Sequence, residues 1–161
     1  MTTHSITVTV NCVRERLDAP SNMTLLQLLR EKLAITGPKN GCTAGECGAC
    51  TVLMNGEPVN SCLVLAVEAD GAEVVTVEDL ARDGQLTRLQ EAFVEHNAAQ
   101  CGFCTPGVLI SAHALLERCK RSGAYPTEEE IKEALVGNLC RCTGYLRIIE
   151  AVQTAAEEGG A

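Results

Sequence analysis

Apolar and polar residues alternate near the start of the chain, which is the pattern of β-strands. Residues 6–10 read Ile-Thr-Val-Thr-Val, and Asn11-Cys12 then marks a turn into a second strand at 13–17. Another strand, 51–54, runs into Asn55-Gly56, a dipeptide typical of two-residue hairpin turns. The first part of the chain is therefore predicted to be rich in short antiparallel strands.

One helix is expected among these strands. Residues 24–33 (TLLQLLREKL) place apolar side chains at helical spacing, and Asn22 or Ser21 is available as the cap. A last strand is predicted over residues 73–78 (EVVTVE). Four short strands with one or two helices make a small α+β unit.

From about Leu80 onward the apolar spacing becomes helical. A capping threonine before a proline at 105–106 and a Thr-x-x-Glu capping box at 127–130 predict helix starts. The four expected helices cover residues 86–97, 105–119, 127–136 and 144–157. Helices of this size form a small bundle. Two domains are therefore predicted, residues 1–80 and 81–161, joined by a short loop near 79–85.

Composition and charge exclude several classes of protein. The 161 residues include 46% hydrophobic and 21% charged residues, 2% aromatic residues and no Trp, with a net charge of −8. The chain offers neither a basic surface nor a stacking platform, so nucleic-acid binding is not expected. No apolar run approaches the roughly 18 residues of a membrane span, and the first residues do not resemble a signal peptide. A cytoplasmic location is the expectation.

Ten cysteines are abnormal for a cytoplasmic chain, where cysteine clusters indicate metal or redox chemistry more often than disulfides. Eight of them form two sets of four. The first set has the spacing C-x₄-C-x₂-C followed by a more distant cysteine, and comprises Cys42, Cys47, Cys50 and Cys62. The second set pairs C-x₂-C with C-x-C, and comprises Cys101, Cys104, Cys140 and Cys142. Cys12 and Cys119 stand apart and are expected to be small buried or half-buried side chains.

The first set matches the plant-type ferredoxin spacing for a [2Fe–2S] cluster, which needs four thiolates. Residues 41–50 (GCTAGECGAC) also hold three glycines and two alanines, which let backbone N–H groups fold closely around inorganic sulfide. A zinc knuckle is the alternative, but zinc sites more often use paired C-x₂-C motifs. The first set therefore predicts an iron–sulfur site.

The second set is more ambiguous, since zinc, an iron–sulfur cluster and a redox disulfide all fit its spacing. A thioredoxin-like reading of residues 101–104 would need a preceding strand, and residues 95–100 (EHNAAQ) do not form one. Both cysteine pairs precede predicted helix N-termini, whose dipoles stabilise anionic groups. Spacing alone favours a second [2Fe–2S] cluster. No nucleophile–base set, phosphate loop or nucleotide fingerprint accompanies either set, so the chain itself holds no catalytic residues.

Three segments together resemble a known family. GCTAGECGACTVLMNG (41–56), QCGFCTPG (100–107) and GNLCRCTGY (137–145) are similar to the small iron–sulfur subunit of molybdenum hydroxylases, the xanthine dehydrogenase and aldehyde oxidoreductase family. The resemblance covers about residues 4–155. It implies an α+β chain with an N-terminal β-grasp, plant-type ferredoxin-like domain and an all-α, four-helix-bundle [2Fe–2S] domain.

The resemblance also implies cofactors and partners. Gln100 and Cys142 would approach a molybdopterin in a large subunit, with Cys142 also an iron ligand, and the loop at Gly45 and Glu46 would face FAD in a medium subunit. The chain would then be the non-catalytic electron-transfer subunit of an oxidoreductase, within a dimer of heterotrimers. Purines, N-heterocycles, aldehydes and aromatic thioesters are candidate substrates of the large subunit. A stand-alone ferredoxin-type carrier and a zinc-stabilised interaction module are the alternatives.

Overall fold

A five-stranded sheet forms the first half of the fold in the computed structural model, which describes residues 2–81 and 83–158. Its strands lie side by side in the order β2-β1-β5-β3-β4. β1 and β5 run parallel and the other neighbours are antiparallel. The strand bounds are β1 Thr3–Val10, β2 Val13–Pro20, β3 Thr51–Met54, β4 Glu57–Asn60 and β5 Glu73–Val75. The expected four strands omitted β4, the return strand of the Asn55-Gly56 hairpin.

The first hairpin turns at the predicted place. Val10 pairs with Val13, and Asn11 and Cys12 take φ angles of 49° and 67° between them. This left-handed pair is the geometry of a two-residue hairpin turn. Cys12 is therefore exposed at the turn, not buried as expected, whereas Cys119 is buried.

A short helix packs on the sheet, but its cap is not the predicted one. The helix α1, Leu25–Gln27, continues as a π-helical turn, Leu28–Lys32. Thr24 caps it in a reciprocal box with Gln27, because the Thr24 hydroxyl accepts from the Gln27 backbone N–H at 3.2 Å. Ser21 instead donates its hydroxyl to the carbonyl of Thr2. Neither Asn22 nor Ser21 is the cap.

The last strand is shorter than predicted and ends at Val75. Thr76 turns the chain, since its backbone N–H donates to the Asn11 side chain at 2.8 Å and its hydroxyl to the Glu78 carboxylate at 2.6 Å. A 3₁₀ turn, Val77–Asp79, follows. The polar side chains of Asn11 and Thr76 therefore replace ladder hydrogen bonds that a longer β5 would make.

Four longer helices form the second half of the described chain. Their bounds are α2 Arg88–Glu95, α3 Thr105–Ser122, α4 Glu128–Leu135 and α5 Leu146–Glu158. Thr127 and Glu130 form the predicted capping box of α4. Thr105, by contrast, does not cap α3. The carbonyl of Cys104 already accepts the first helical hydrogen bond, from the Val108 N–H at 3.1 Å, so Cys104 holds the cap position.

Two apolar cores result. One lies between the sheet and α1, around the fully buried Val8, Leu28 and Val74. The other lies among α2 to α5, which pack as the pairs α2–α5, α3–α4, α4–α5 and α2–α3. This second core also contains Leu53 of β3, because α3 packs against that strand. Among residues 2–81 and 83–158, no helix is long and apolar enough to cross a membrane.

Candidate metal centres

The first set lies at one end of the sheet. Cys42, Cys47 and Cys50 come from the loop that leads into β3, and Cys62 follows β4. Cys50 and Cys62 are buried against Leu26 of α1, and the other two are partly exposed. The hairpin β3–β4 therefore brings the distant fourth cysteine to the loop that holds the other three.

The backbone of this loop curls around sulfur. Gly45 and Gly48 have φ angles of 78° and 64°, a conformation that favours glycine. As a result, the backbone N–H groups of Ala44 and Glu46 both donate to Cys42 Sγ, at 3.4 Å. Donors arranged in this way stabilise a thiolate, which supports the sequence-based interpretation of the glycines.

Hydrogen bonding and burial shift the pKa values of Cys42 and Cys50 in opposite directions. Backbone N–H groups of Ala44, Cys47 and Glu46 lower the pKa of Cys42 to about 6. Burial raises the pKa of Cys50 to about 11, while the backbone N–H of Cys62 lowers that pKa and the Cys62 thiol raises it. A buried thiol of this kind needs a bound cation before it ionises at neutral pH.

The second set is assembled from two loops. Cys101 and Cys104 lie directly before α3, and Cys140 and Cys142 lie between α4 and α5. Cys104 is buried, Cys140 is half-buried, and the remaining two are exposed. Both loops lead into helices, as the sequence predicted, although α5 begins only at Leu146.

The thiols of the second set also act on one another in pairs. Burial raises the pKa of Cys104 to about 12, and a hydrogen bond with Cys140 adds to the rise. The backbone N–H of Phe103 and the thiol of Cys142 lower the pKa of Cys101, and Cys101 in turn raises that of Cys142. Burial raises the pKa of Cys140, but hydrogen bonds lower it by more, so the net shift is downward. The strongest of these hydrogen bonds comes from the Thr143 hydroxyl.

The two sets are in direct contact through backbone groups. The N–H of Leu139 donates to the carbonyl of Cys47 at 2.9 Å, so a cysteine of the first set is hydrogen-bonded to the residue that precedes Cys140 of the second. Asn138, 3% exposed, donates its side-chain amide to the carbonyl of Gly48 at 3.1 Å. A Cβ on Gly107 would stand 2.1 Å from that same carbonyl oxygen. Only a glycine in α3 permits this approach.

Tyr145 stabilises the loop between α4 and α5, which carries Cys140 and Cys142. Its hydroxyl donates to the carbonyl of Asn138 at 3.0 Å and accepts from the backbone N–H of Cys140 at 2.8 Å. Sequence reasoning did not single out Asn138, Tyr145 or Gly107. All three lie within the quoted motifs, but nothing in the spacing of Asn138 or Gly107 indicates their contact with the distant Gly48, which is 90 residues from Asn138.

Paired thiols suit a binuclear cluster. Within residues 2–81 and 83–158, no three His, Cys, Asp or Glu side chains are grouped so as to hold a single metal ion. Instead Cys42 interacts with Cys47, Cys50 with Cys62, Cys101 with Cys142 and Cys104 with Cys140. A [2Fe–2S] cluster bound by four cysteines takes two thiolates on each iron. The residues present therefore fit that group in both sets.

Comparison with known proteins agrees with this chemistry. Residues 8–81 match the family described as "2Fe-2S iron-sulfur cluster binding domain", and residues 76–153 match the "[2Fe-2S] binding domain" family. The chain is 52% identical over 155 residues to the nicotine 6-hydroxylase small subunit of Paenarthrobacter nicotinovorans, covering 96% of this chain and 91% of that one. It is 46% identical over 153 residues to the nicotinate dehydrogenase small FeS subunit of Eubacterium barkeri, covering 95% of each.

A solved structure has the same fold. The chain superposes with a TM-score of 0.90 on a chain of quinoline 2-oxidoreductase from Pseudomonas putida 86, at 42% identity, covering 96% of this chain and 94% of that one. The chain belongs to the family of small [2Fe–2S] subunits of molybdenum hydroxylases. It is thus a non-catalytic subunit of an oxidoreductase, with two [2Fe–2S] binding domains.

The family resemblance singled out Gln100 and Cys142 on the second set's side, and Gly45 and Glu46 on the first. Gln100 and Cys142 are both exposed, on the two loops that hold the second set. Glu46 is exposed, and a Cβ on Gly45 would lie 2.3 Å from the side chain of Leu63, itself 60% exposed. The two groups of residues therefore lie beside different cysteine sets, and Gln100, Cys142 and Glu46 are exposed to solvent.

Proposed function

We propose that this subunit relays electrons between a molybdopterin site in a large subunit and FAD in a medium subunit, through two [2Fe–2S] clusters in series. The observation that carries the proposal is the backbone contact between the two cysteine sets. A single hydrogen bond of 2.9 Å, from the Leu139 N–H to the Cys47 carbonyl, joins a cysteine of the first set to the residue before Cys140 of the second. Two one-electron carriers held in such contact form a fixed relay.

Eight cysteines are the proposed iron ligands. Cys42, Cys47, Cys50 and Cys62 would hold one cluster, and Cys101, Cys104, Cys140 and Cys142 the other. The thiol pairs described above would each serve one iron. When bound, a cluster takes up and releases single electrons. The chain's own contribution is to hold the thiolates, supply N–H donors to sulfur and bury one side of each site.

The side of the second set is the proposed docking surface for the large subunit, with Gln100 and Cys142 next to the pterin. Three large apolar side chains support this, since Phe103, Leu139 and Leu146 are 48%, 61% and 65% exposed. Apolar patches of this kind mark protein interfaces. The medium, FAD-binding subunit would lie by Glu46 and Leu63. A cytoplasmic dimer of such heterotrimers, with α2 to α5 forming the four-helix bundle, completes the proposed assembly.

The substrate proposed for the large subunit is an N-heteroaromatic compound. Relatives at 52% and 46% identity are named for nicotine and nicotinate, and the superposed structure is named for quinoline. All three substrates contain a pyridine ring. Purines are also N-heteroaromatic and stay candidates, whereas aldehydes and aromatic thioesters are the less favoured substrates.

The test is anaerobic purification of the native protein, with iron, zinc and sulfide analysis and EPR after dithionite reduction. The proposal expects about four iron and four sulfide per chain, with two distinguishable [2Fe–2S] signals. Cys47→Ala should remove one signal and Cys104→Ala the other. Cys12→Ala, at an exposed cysteine outside both sets, is the matched control and should keep both.

Other outcomes would overturn parts of the proposal. Zinc without iron would exclude electron transfer, and about two iron per chain would leave only the first cluster. Two clusters in a protein that purifies as a monomer, with no molybdenum or flavin protein, would indicate a stand-alone carrier.

A further inference from the structure

A threonine hydroxyl lies against one sulfur of the second set. Thr143 Oγ1 is 3.1 Å from Cys140 Sγ. The same oxygen accepts the backbone N–H of Tyr145 at 3.2 Å. Both Thr143 and Cys140 are partly shielded from solvent. The hydroxyl is therefore held by a donor on one side and faces sulfur on the other.

The direction of this hydrogen bond follows from chemistry. A cysteine that binds iron is a thiolate and has no proton, so its sulfur can only accept. The N–H of Tyr145 occupies a lone pair of the Thr143 oxygen, which leaves the hydroxyl proton free to point at sulfur. Thr143 is the donor whenever Cys140 is an iron ligand.

We propose that the hydroxyl of Thr143 donates a hydrogen bond to the Cys140 sulfur and thereby raises the reduction potential of the second cluster. This inference rests on the proposed function, because it needs a cluster at the second set. Reduction adds one electron, makes the sulfur more negative and strengthens a hydrogen bond that the sulfur accepts. No bond to the threonine breaks, and its proton stays on its oxygen. Thr143 is a positioning and tuning residue, not a catalytic one.

The first set contains a threonine that serves as a matched control. Thr43 also adjoins a cysteine, but its hydroxyl donates to the carbonyl of Cys42 at 2.7 Å and not to sulfur. The sulfur of Cys42 accepts backbone N–H groups, which no side-chain substitution removes. Loss of the hydroxyl is thus expected to change the potential at Thr143 and not at Thr43.

The experiment is an EPR-monitored redox titration of the iron-loaded protein carrying Thr143→Val, Thr143→Ser or Thr43→Val. The signal that Cys104→Ala removes identifies the second cluster. For Thr143→Val we expect reduction of this cluster to become about tenfold less favourable, a fall of about 59 mV for a one-electron couple. Thr143→Ser should stay near the wild-type potential. Thr43→Val should leave both potentials unchanged.

Failure of the inference can be told from failure of the proposed function. A wild-type protein without the second signal would contradict the proposed function. Two wild-type signals whose potentials do not respond to Thr143→Val would overturn the inference alone. An equal shift for Thr143→Ser and Thr143→Val would also overturn it. So would loss of the second cluster in Thr143→Val while Thr143→Ser retains it, because the hydroxyl would then be needed for assembly.

Discussion

The two cysteine sets reach similar chemistry by different routes. Three of the first four cysteines come from one ten-residue loop, 41–50, whose left-handed glycines turn backbone N–H groups toward Cys42. The second set joins two loops from different parts of the chain and uses the side chains of Thr143 and Tyr145. A local site can be encoded by glycines and spacing, whereas a site assembled from distant loops depends on tertiary contacts.

The contact between the two cysteine sets couples them structurally. Gly48 belongs to the first loop, and its carbonyl accepts from Asn138 beside the second set. The N–H of Leu139 and the closely packed Gly107 complete the junction. A disturbance at the junction should therefore reach both sets, while a disturbance inside one loop should stay in that set.

The largest expected effect concerns thiol reactivity after the iron has been removed. At pH 7 ionisation alone should make iodoacetamide modify Cys42 about fiftyfold faster than Cys50, and the burial of Cys50 should widen the difference. The pKa of Cys42, about 6, leaves it mostly thiolate, whereas Cys50, with a pKa of about 11, is buried and protonated. The larger thiolate fraction of Cys42 outweighs its lower intrinsic nucleophilicity. In the second set, Cys101, whose pKa is lowered, should likewise react before Cys104, whose pKa is about 12.

Peptide mapping by mass spectrometry after short labelling at several pH values measures these rates. Labelling of Cys42 should fall as the pH drops through about 6, because a lowered pKa keeps the thiolate only above that value. In guanidinium chloride the differences should vanish. Equal rates in the native metal-free protein would show that the cysteine loops lose their arrangement with the metal.

Next in size is the steric effect of Gly107→Ala at the junction. The added Cβ would lie 2.1 Å from the carbonyl oxygen of Gly48, and a backbone atom cannot move aside cheaply. We expect a loss of about 3 kcal/mol in the free energy of unfolding, with weaker cluster binding in both sets. Urea unfolding and iron analysis test this. Gly137→Ala, where nothing lies within 4 Å of the new Cβ, is the control and should be nearly neutral.

For Asn138→Ala we expect a smaller loss, about 2 kcal/mol in the free energy of unfolding. The substitution removes a buried amide that donates to the Gly48 carbonyl, which still accepts from the hydroxyl of Thr51 at 2.7 Å. Asn138→Asp should cost more, because a carboxylate cannot donate and would face that carbonyl. Urea denaturation compares the two variants. A milder effect for the aspartate would mean that the amide does not act as a donor at the junction.

Parts of this architecture could be predicted from the sequence because they are local. The hairpin at Asn55-Gly56, the capping box at Thr127 and the glycine-rich first loop all depend on neighbouring residues. The predicted cap of α3 was wrong. The threonine–proline signal at 105–106 carries no information about the preceding backbone, where the carbonyl of Cys104 already accepts a helical hydrogen bond. The role of Asn138 could not be predicted, since its partner Gly48 is 90 residues away.

The smallest expected effect concerns Tyr145→Phe, which should act on the second set alone. The lost hydroxyl bridges the carbonyl of Asn138 and the N–H of Cys140, at 3.0 Å and 2.8 Å. Cys140 and Tyr145 are only partly buried, so water can replace part of what is lost, and the free energy of unfolding should fall by about 1 kcal/mol. Because this bridge holds the loop that carries Cys140 and Cys142, a chelator should remove iron from the second set about fivefold faster. The bleaching rate of each cluster, followed by EPR in the presence of chelator, measures this. Equal acceleration at both sets would mean that Tyr145 supports the junction and not only its own loop.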